Sequence, residues 1–248
     1  MDILQCSREK LRHVCAECGL SPELSLAVRC LTPDEAIGRD ADSEFVIKKG
    51  LERMVEAVFD GVRGQAFTDQ PGNWQGTLGE LLSLDLTDIG QRAIFTAGLN
   101  AVLRRIGHAQ GTIHCLNEEP KRCGEELARQ MRARFGSCRY GLIGLQPAIL
   151  KGLTEEFGTQ GVRVLDLNPD NIGQIRSGVQ IWDGEQDLQR LIDWCDVGLA
   201  TGSTIVNGSL DNLLARFEAA SKPLAFFGNT IAGTAALNNL QRVCPFGA

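Results

Sequence analysis

Three residues with metal-binding side chains lie in one short polar stretch of the sequence. His114 and Cys115 are adjacent, and Cys123 follows in the same stretch. Imidazole nitrogen and thiolate sulfur are ligands that zinc, iron and other thiophilic metals accept. The stretch therefore predicts a metal site at His114, Cys115 and Cys123, although the sequence shows no evident fourth ligand.

The other cysteines carry weaker signals. His13, Cys15 and Cys18 form a second candidate, but a single C-x-x-C without a partner pair also fits thiols on the core side of a helix, so its role stays open. The chain has nine cysteines, an odd number at irregular spacing. This usage indicates reduced thiols and a cytoplasmic protein. The remaining cysteines are predicted to be small buried hydrophobes: Cys6, Cys30, Cys138, Cys195 and Cys244.

Four turns rich in Gly, Asn, Ser and Thr form a second group of candidate residues. Each turn follows a predicted strand, and ligands bind where the carboxyl ends of parallel strands meet. Amides, hydroxyls and backbone N–H groups there suit a phosphate, a carboxylate or a polar cofactor. The same residues also fit caps of the following helices. The turns are residues 144–147, 166–171, 201–209 and 228–230.

Asp166 stands at the end of a predicted strand, where dinucleotide-binding proteins keep the acid that bonds a ribose hydroxyl. The turn that contains Gly141 and Gly144 lacks the close G-x-G pair of the dinucleotide fingerprint. Asp166 and Asn168 fit equally well as caps of the turn before Pro169. An enzyme that uses a nucleotide or an S-adenosylmethionine-like cofactor therefore stays an alternative.

Apolar spacing predicts the elements that must position these residues. The first part is typical of an α+β unit with antiparallel strands, including a type I′ hairpin at Asp60-Gly61. Helix 88–106 has one large apolar face and one face of small residues that displays Asn100, which fits either tight packing on the sheet or a domain interface or ligand wall. The predicted elements are helix 2–18, strand 24–30, strands 55–59 and 62–67, helices 75–84 and 88–106, a polar connection 107–125 and a helix near 124–135.

The second part alternates strand and helix, which predicts a mainly parallel sheet with right-handed crossovers. We expect a Rossmann-like domain at 137–248, an N-terminal α+β domain at 1–113, and a connection with a linking helix at 114–136. The predicted strands are 139–144, 162–167, 197–200 and 223–227, and the predicted helices are 147–157, a helix from about 188 to 194, 210–219 and 230–240.

Composition excludes several classes of function. The 248 residues carry a net charge of −6, with basic residues scattered, so nucleic acid is not an expected partner. No apolar run reaches the roughly 18 residues of a membrane span, and the N-terminus has no signal-peptide pattern. The expected partner is a small molecule or a metal ion, and self-association into a homo-oligomer stays open.

Several motifs resemble one family. Residues 200–210 (ATGSTIVNGSL), preceded by CDV at 195–197 and followed by PLAFFG at 223–228, resemble the C-terminal domain of the "putative heavy-metal chelation" family. Residues 49–54 (KGLERM), 64–69 (GQAFTD), 99–102 (LNAV) and 113–115 (IHC) resemble one branch of it. The resemblance implies an enolase N-terminal-like α+β domain joined to a Rossmann-like domain, with the site between them.

The resemblance also implies a function in metal handling or in anaerobic cobalamin-related metabolism. We therefore expect binding of a heavy metal ion or a metal-bearing small molecule in the cleft between the two domains. A non-catalytic accessory or carrier protein is a third hypothesis, and no catalytic residue is assigned. The expected ligand-binding residues are Asn100, Gln146, Asp166, Asn168, Thr201, Gly202, Ser203, Thr204, Asn207, Gly228 and Asn229.

Overall fold

The computed structural model describes residues 2–39, 47 and 52–248, which fold as mixed α/β structure with two sheets. The first sheet is antiparallel, with strand order β3-β2-β1-β4. Among the described residues, no helix combines the length and apolar composition that a membrane span requires. The elements of this first part are α1 (Ile3–Glu17), β1 (Ser25–Leu31), α2 (Pro33–Ile37), β2 (Arg53–Phe59), β3 (Val62–Thr68), β4 (Trp74–Thr77), α3 (Leu78–Leu81) and α4 (Ile89–Arg105).

Local sequence explains most of these elements. Asp60 and Gly61 both have positive φ, at 48° and 75°, which confirms the predicted hairpin between β2 and β3. Helix α1 begins after Asp2, whose carboxylate accepts the Gln5 N–H. The expected helix at 75–84 is wrong in its first part, because residues Trp74–Thr77 pair with β1 as strand β4.

The second sheet is parallel except for its edge strand β7. Its order is β11-β10-β9-β5-β6-β8-β7, so the parallel strands follow the 3-2-1-4-5-6 order of doubly wound folds. The expectation of a mainly parallel sheet is confirmed, although β7, β8 and β11 were not predicted. Its elements are α5 (Glu119–Phe135), β5 (Tyr140–Ile143), α6 (Pro147–Phe157), β6 (Val162–Asp166), β7 (Ile175–Arg176), β8 (Val179–Asp183), α7 (Leu188–Trp194), β9 (Val197–Thr201), α8 (Thr204–Asn207), α9 (Leu210–Ala219), β10 (Leu224–Phe227), α10 (Ala232–Asn238) and β11 (Arg242–Val243).

Helices cover both faces of this sheet because neighbouring strand residues point to opposite sides. Val164 and Leu199 join the apolar cluster of α5 and α6, whereas Leu165 and Ala200 join the cluster of α7 and α9. The second cluster continues without a break through α10 into α4, α1 and the first sheet. The two sheets therefore share one apolar core. The division at 1–113, 114–136 and 137–248 stays a prediction.

Two glycines let α5 and α6 cross at backbone contact. A Cβ at Gly124 would overlap the Ala148 carbonyl, and a Cβ at Gly152 would overlap the backbone of Gly124. We expect Gly124→Ala to lower the free energy of unfolding by about 2 kcal/mol, because the helices must separate. Urea denaturation would measure this. Gly72→Ala is the control, since its Cβ would meet only ordinary contact with Ile94, and an equal loss in both variants would contradict the close crossing.

Candidate functional site

A cleft of about 820 Å³ opens at the carboxyl end of the parallel sheet. Strands β5 and β9 are neighbours there, and the chain continues from β5 to β6 on one side and from β9 to β10 on the other. Such a switch point leaves a crevice between the loops that follow the two strands. Phe67 of β3 and Asp69, which directly follows β3, line the same cleft, so both sheets contribute to its walls.

The loops after β5 and β6 form one side of the cleft. Gly144 adopts a φ of 87°, and the Gln146 side-chain oxygen accepts the Ile149 N–H at 2.7 Å to cap α6. Asn168 also lines the cleft, and its side-chain oxygen accepts the Asp170 N–H at 2.9 Å. These expected site residues therefore lie in the cleft while also shaping their own turns.

The Asp166 carboxylate is engaged within its own loops. One oxygen accepts the Leu145 N–H at 2.7 Å, and the other accepts the Asn168 N–H at 2.8 Å and the Asn171 amide at 3.2 Å. These bonds tie the β6 loop to the β5 loop. The geometry favours the capping interpretation of Asp166 over the ribose-binding one, although the residue lines the cleft.

The loops after β9 and β10 form the opposite side. The Thr204 hydroxyl donates to the Thr201 carbonyl at 2.9 Å, and the Asn207 side-chain oxygen accepts both the N–H and the hydroxyl of Ser209. A Cβ at Gly202 would press on Ile231, so glycine keeps this loop close to the end of β10. The expected residues of these loops that line the cleft are Thr201, Gly202, Ser203, Thr204, Asn207 and Gly228.

Cys115 and Cys123 stand together on the cleft wall. The Cys115 and Cys123 side chains interact, and this interaction raises the pKa of Cys115 and lowers that of Cys123. The backbone N–H of Phe246 and the Arg242 guanidinium also lower the Cys123 pKa. Cys123 is therefore the thiol better prepared to be a thiolate, which is the form that binds metals.

Cys244 was expected to be only a small buried hydrophobic residue, and its position in the cleft corrects this expectation. It lines the cleft close to Cys123, and burial raises its pKa. The C-terminal segment brings it there: Ala248 and Ile113 exchange two backbone hydrogen bonds of 2.9 and 3.0 Å, and Arg242 donates to the Gly111 carbonyl at 2.6 Å. No local sequence pattern signals this contact, because it joins two segments that are distant in the chain.

The His114 ring is prepared as a neutral nitrogen donor. Its Nδ1 lies 2.6 Å from the Cys115 carbonyl oxygen, so Nδ1 carries the hydrogen and Nε2 keeps its lone pair. Burial lowers the pKa of His114, which favours the neutral ring. A backbone carbonyl that fixes the tautomer in this way is common behind metal-binding histidines.

The three residues expected to form the metal site all line the cleft, but they do not form a complete ligand set. Across residues 2–39, 47 and 52–248, no group of three or more His, Cys, Asp or Glu side chains is arranged to hold a metal ion. The two cysteines of the alternative candidate site, Cys15 and Cys18, lie in different environments. Cys15 is buried, with its pKa raised to about 11 by burial, and Cys18 is exposed.

Asn100 and Asn229 lie outside the residues that line the cleft, which corrects the expectation of ligand contact. Both are fully buried between the two sheets. The Asn100 amide donates to the carbonyls of Gln65 and Thr230, both at 2.9 Å, and its oxygen accepts the Gly233 N–H at 2.7 Å. Asn100 therefore joins the two halves of the protein, as the interface interpretation of helix 88–106 predicted.

Glu52 is a cleft residue that the sequence analysis missed as a functional candidate. It lines the cleft just before β2, with Asp69 and Asp166 nearby. Burial raises the pKa of its carboxyl to about 7, and the negative charges of Asp166 and Asp69 add to the rise. The signal that could have identified Glu52 in the sequence is a charged residue directly before a buried strand. Residues 49–51 of the family-like segment lie outside the described residues.

Charge in the cleft is mostly negative. Glu52, Asp69, Asp166 and Glu185 line it, and among its described lining residues Arg216 is the only lysine or arginine. A cleft of one predominant charge attracts ligands of the opposite sign. The arrangement suits a cationic or metal-bearing ligand better than a polyphosphate.

Comparison with known proteins agrees with the family resemblance. A crystallised DUF364-family protein of unknown function from Pyrococcus horikoshii is 18% identical, with a TM-score of 0.53 over 92% of this chain and 79% of that chain. One from Desulfitobacterium hafniense is 12% identical, with a TM-score of 0.51 over 76% of this chain and 72% of that chain. At these identities the likeness concerns the fold alone. None of the curated proteins matches the chain.

The family model described as "Putative heavy-metal chelation" matches residues 129–232, a segment from within α5 to the start of α10. This segment contains the ATGSTIVNGSL and PLAFFG motifs. Residues 129–232 are therefore similar to the "Putative heavy-metal chelation" family, as the motifs predicted.

Proposed function

We propose that the cleft binds a thiophilic metal ion, free or carried by a small molecule, through the thiols of Cys115 and Cys123. The observation that carries this proposal is that Cys115 and Cys123, whose side chains interact, both line a cleft of about 820 Å³. The lowered pKa of Cys123 makes the loss of its proton easier, and a metal ion displaces the proton of the other thiol. The family description, heavy-metal chelation, supports the same class of ligand.

The residues present fit a soft metal in part. Thiolate sulfur selects zinc, copper(I) and iron–sulfur chemistry over magnesium or calcium. The described residues offer no set of three ligands, so the protein would supply two sulfurs and the remaining ligands would come from the bound molecule or water. A cleft much larger than a metal ion favours a metal-bearing small molecule as the cargo. Zinc, iron and other thiophilic metals remain candidates.

The enzyme alternative draws on a different observation. The 3-2-1-4-5-6 strand order creates the crevice in which doubly wound folds bind nucleotide cofactors. The engaged Asp166 carboxylate and the negative cleft weigh against a nucleotide phosphate. Calorimetric titration with nucleotides and with S-adenosylmethionine distinguishes the two functions, and we expect no binding heat from either.

Free thiols fit a reducing compartment. All nine cysteines are free thiols, which agrees with the cytoplasmic location that we propose. Metal capture by Cys115 and Cys123 requires this state, because a disulfide offers no thiolate. We therefore expect that oxidant treatment of the purified protein abolishes metal binding.

The proposal predicts that Cys115→Ser/Cys123→Ser weakens zinc binding by at least about 100-fold, because both sulfur ligands are lost. Equilibrium dialysis of anaerobically purified protein against zinc would measure this. The control is Cys18→Ser, which removes an exposed thiol away from the cleft and should leave the affinity unchanged. Equal zinc affinity in the double variant and the parent protein would rule out the thiol site.

A further inference from the structure

Glu52 carries a carboxyl group that the proposed metal site does not use. The residue lies immediately before β2 and lines the cleft. Its main-chain carbonyl accepts a bond of 3.2 Å from Arg53, but no described residue hydrogen-bonds or forms an ion pair with its carboxyl. The carboxyl is thus a polar group directed at the cleft without a protein partner among the described residues.

Glu56 on the same strand shows how this protein treats a buried structural carboxylate. Glu56 is only 3% exposed. It accepts the Gln65 amide at 2.8 Å and lies 3.5 Å from the guanidinium groups of both Arg29 and Arg63. Buried charges are normally compensated in this way. The contrast indicates that the Glu52 carboxyl forms no structural ion pair with residues 2–39, 47 or 53–248.

The surroundings of Glu52 make its deprotonated form a strong base. Within the described ranges, the charges that raise the pKa of its carboxyl are the carboxylates of Asp166 and Asp69, which disfavour another negative charge. Apolar side chains, including Phe67 and Leu145, also line the cleft and limit solvation. The other titratable groups that line the cleft are His114, Cys115, Cys123, Cys244, Glu185 and Arg216.

We propose that Glu52 is a general base, and in its protonated form a general acid, for proton transfer on a small molecule bound in the cleft. The substrate class is a neutral or cationic molecule with a weakly acidic C–H, N–H or O–H bond. An anion is disfavoured because the carboxylates of Glu52, Asp69 and Asp166 repel it. A Glu52 carboxylate oxygen takes the proton, and the bond's electron pair stays on the substrate. The reverse step returns the proton. This activity goes beyond metal binding and does not depend on the thiols.

The pKa of Glu52, which lies near neutral pH, supports this role. Burial raises the pKa of Glu52 to about 7, so the protein at physiological pH contains both the base and the acid form. A group with a pKa near the working pH is the most effective general acid–base catalyst. Structural ion pairs also perturb pKa values, but Glu52 has no such pair within the described ranges.

Nitrobenzisoxazole is a probe for a poorly solvated carboxylate base. The base removes the ring C–H proton, the C–H electron pair forms the third bond of a nitrile, and the N–O bond breaks to release a coloured phenolate. No other reactant is required. We expect the protein to accelerate this reaction with a rate that rises through a midpoint at about pH 7.

We expect Glu52→Gln to lower this rate about tenfold, which is less than a base positioned for its own substrate contributes. Glu23→Gln, which removes an exposed carboxyl outside the cleft, should keep the parent rate. Glu52→Gln should still bind zinc, so failure of this proposal is distinguishable from failure of the metal site.

Two results would overturn the role of Glu52. One is a Glu52→Gln variant that is as fast as the parent protein. The other is a parent protein without acceleration, or with a rate that does not change between pH 5 and 9 around the expected midpoint near 7. The parent pH profile needs no substitution, so it decides the question even if Glu52→Gln fails to fold.

Discussion

Asn100→Leu is expected to lower the free energy of unfolding by about 3–4 kcal/mol. Leucine has similar size but leaves the Gly233 N–H and the carbonyls of Gln65 and Thr230 without their buried partner. Each such unsatisfied group costs about 1–3 kcal/mol. Because these groups belong to both halves of the protein, the loss should also loosen the walls of the cleft. Urea denaturation followed by circular dichroism would measure the change.

Thr96→Val is the matched control on the same helix. Thr96 is also fully buried in α4, one turn before Asn100, but its hydroxyl has no hydrogen-bond partner in the described part of the chain. Replacing an unpaired hydroxyl by a methyl group should leave the stability unchanged or raise it. A similar loss in both variants would mean that the helix tolerates no substitution there, and would contradict a specific role for the Asn100 bonds.

Glu52→Gln is expected to stabilise the protein at pH 8 by up to about 3 kcal/mol. The carboxyl pKa rises from its ordinary 4.5 to about 7 on folding, chiefly through burial. Between these two values the folded state binds more protons than the unfolded state. The stability of the parent protein should therefore fall as the pH rises through this window, whereas glutamine has no proton to lose.

Unfolding free energies at pH 5, 6, 7 and 8 test this prediction. The difference between Glu52→Gln and the parent should be small at pH 5 and should reach its full size above pH 7. Glu185→Gln supplies the control for removal of a cleft carboxyl at an exposed position. A Glu52→Gln variant that is less stable than the parent at pH 8 would show that the carboxylate is stabilised by the fold. A stabilising change at a cleft residue is typical of functional sites, where activity limits stability.

Elements with strong local signals were predicted closely. Helix α6 spans Pro147–Phe157 as expected, because Pro147 fixes the first turn and Gly158, with a φ of 74°, ends the helix. Helix α9 also has the predicted bounds. In both cases the residues that start and stop the helix are neighbours in the sequence, so no distant contact is needed to place them.

Elements that depend on distant partners were predicted less well. Strand β4 lies at the start of a segment that was expected to be helical. The capping box of Thr77 and Glu80 starts the helix only at α3, and the four residues of β4 form a strand by pairing with β1. The β7–β8 hairpin was missed, although Ser177 and Gly178 have the same pair of positive φ values as Asp60 and Gly61. A Ser-Gly turn signal is weaker than Asp-Gly, and the strands are short.

In the candidate site, too, the features that depend on local sequence were predicted and those that depend on distant segments were missed. The strand-end turns line the cleft as expected because parallel topology brings them to one edge. Asn100 was placed in the site because the sequence showed a polar residue on a face of small residues but not which element covers that face. Cys244 and Glu52 were missed because segments distant in the sequence bring them to the cleft. The ligand-binding roles of the individual residues stay predictions.

X-ray absorption spectroscopy of the protein with one equivalent of zinc tests the metal site most directly. We predict sulfur neighbours at about 2.3 Å from zinc in the parent protein, contributed by Cys115 and Cys123, and their loss in Cys115→Ser/Cys123→Ser. The remaining neighbours should be oxygen or nitrogen atoms, because two protein sulfurs leave other coordination positions open. A zinc ion surrounded only by oxygen and nitrogen in the parent protein, or an unchanged sulfur shell in the double variant, would contradict metal binding by the cleft thiols.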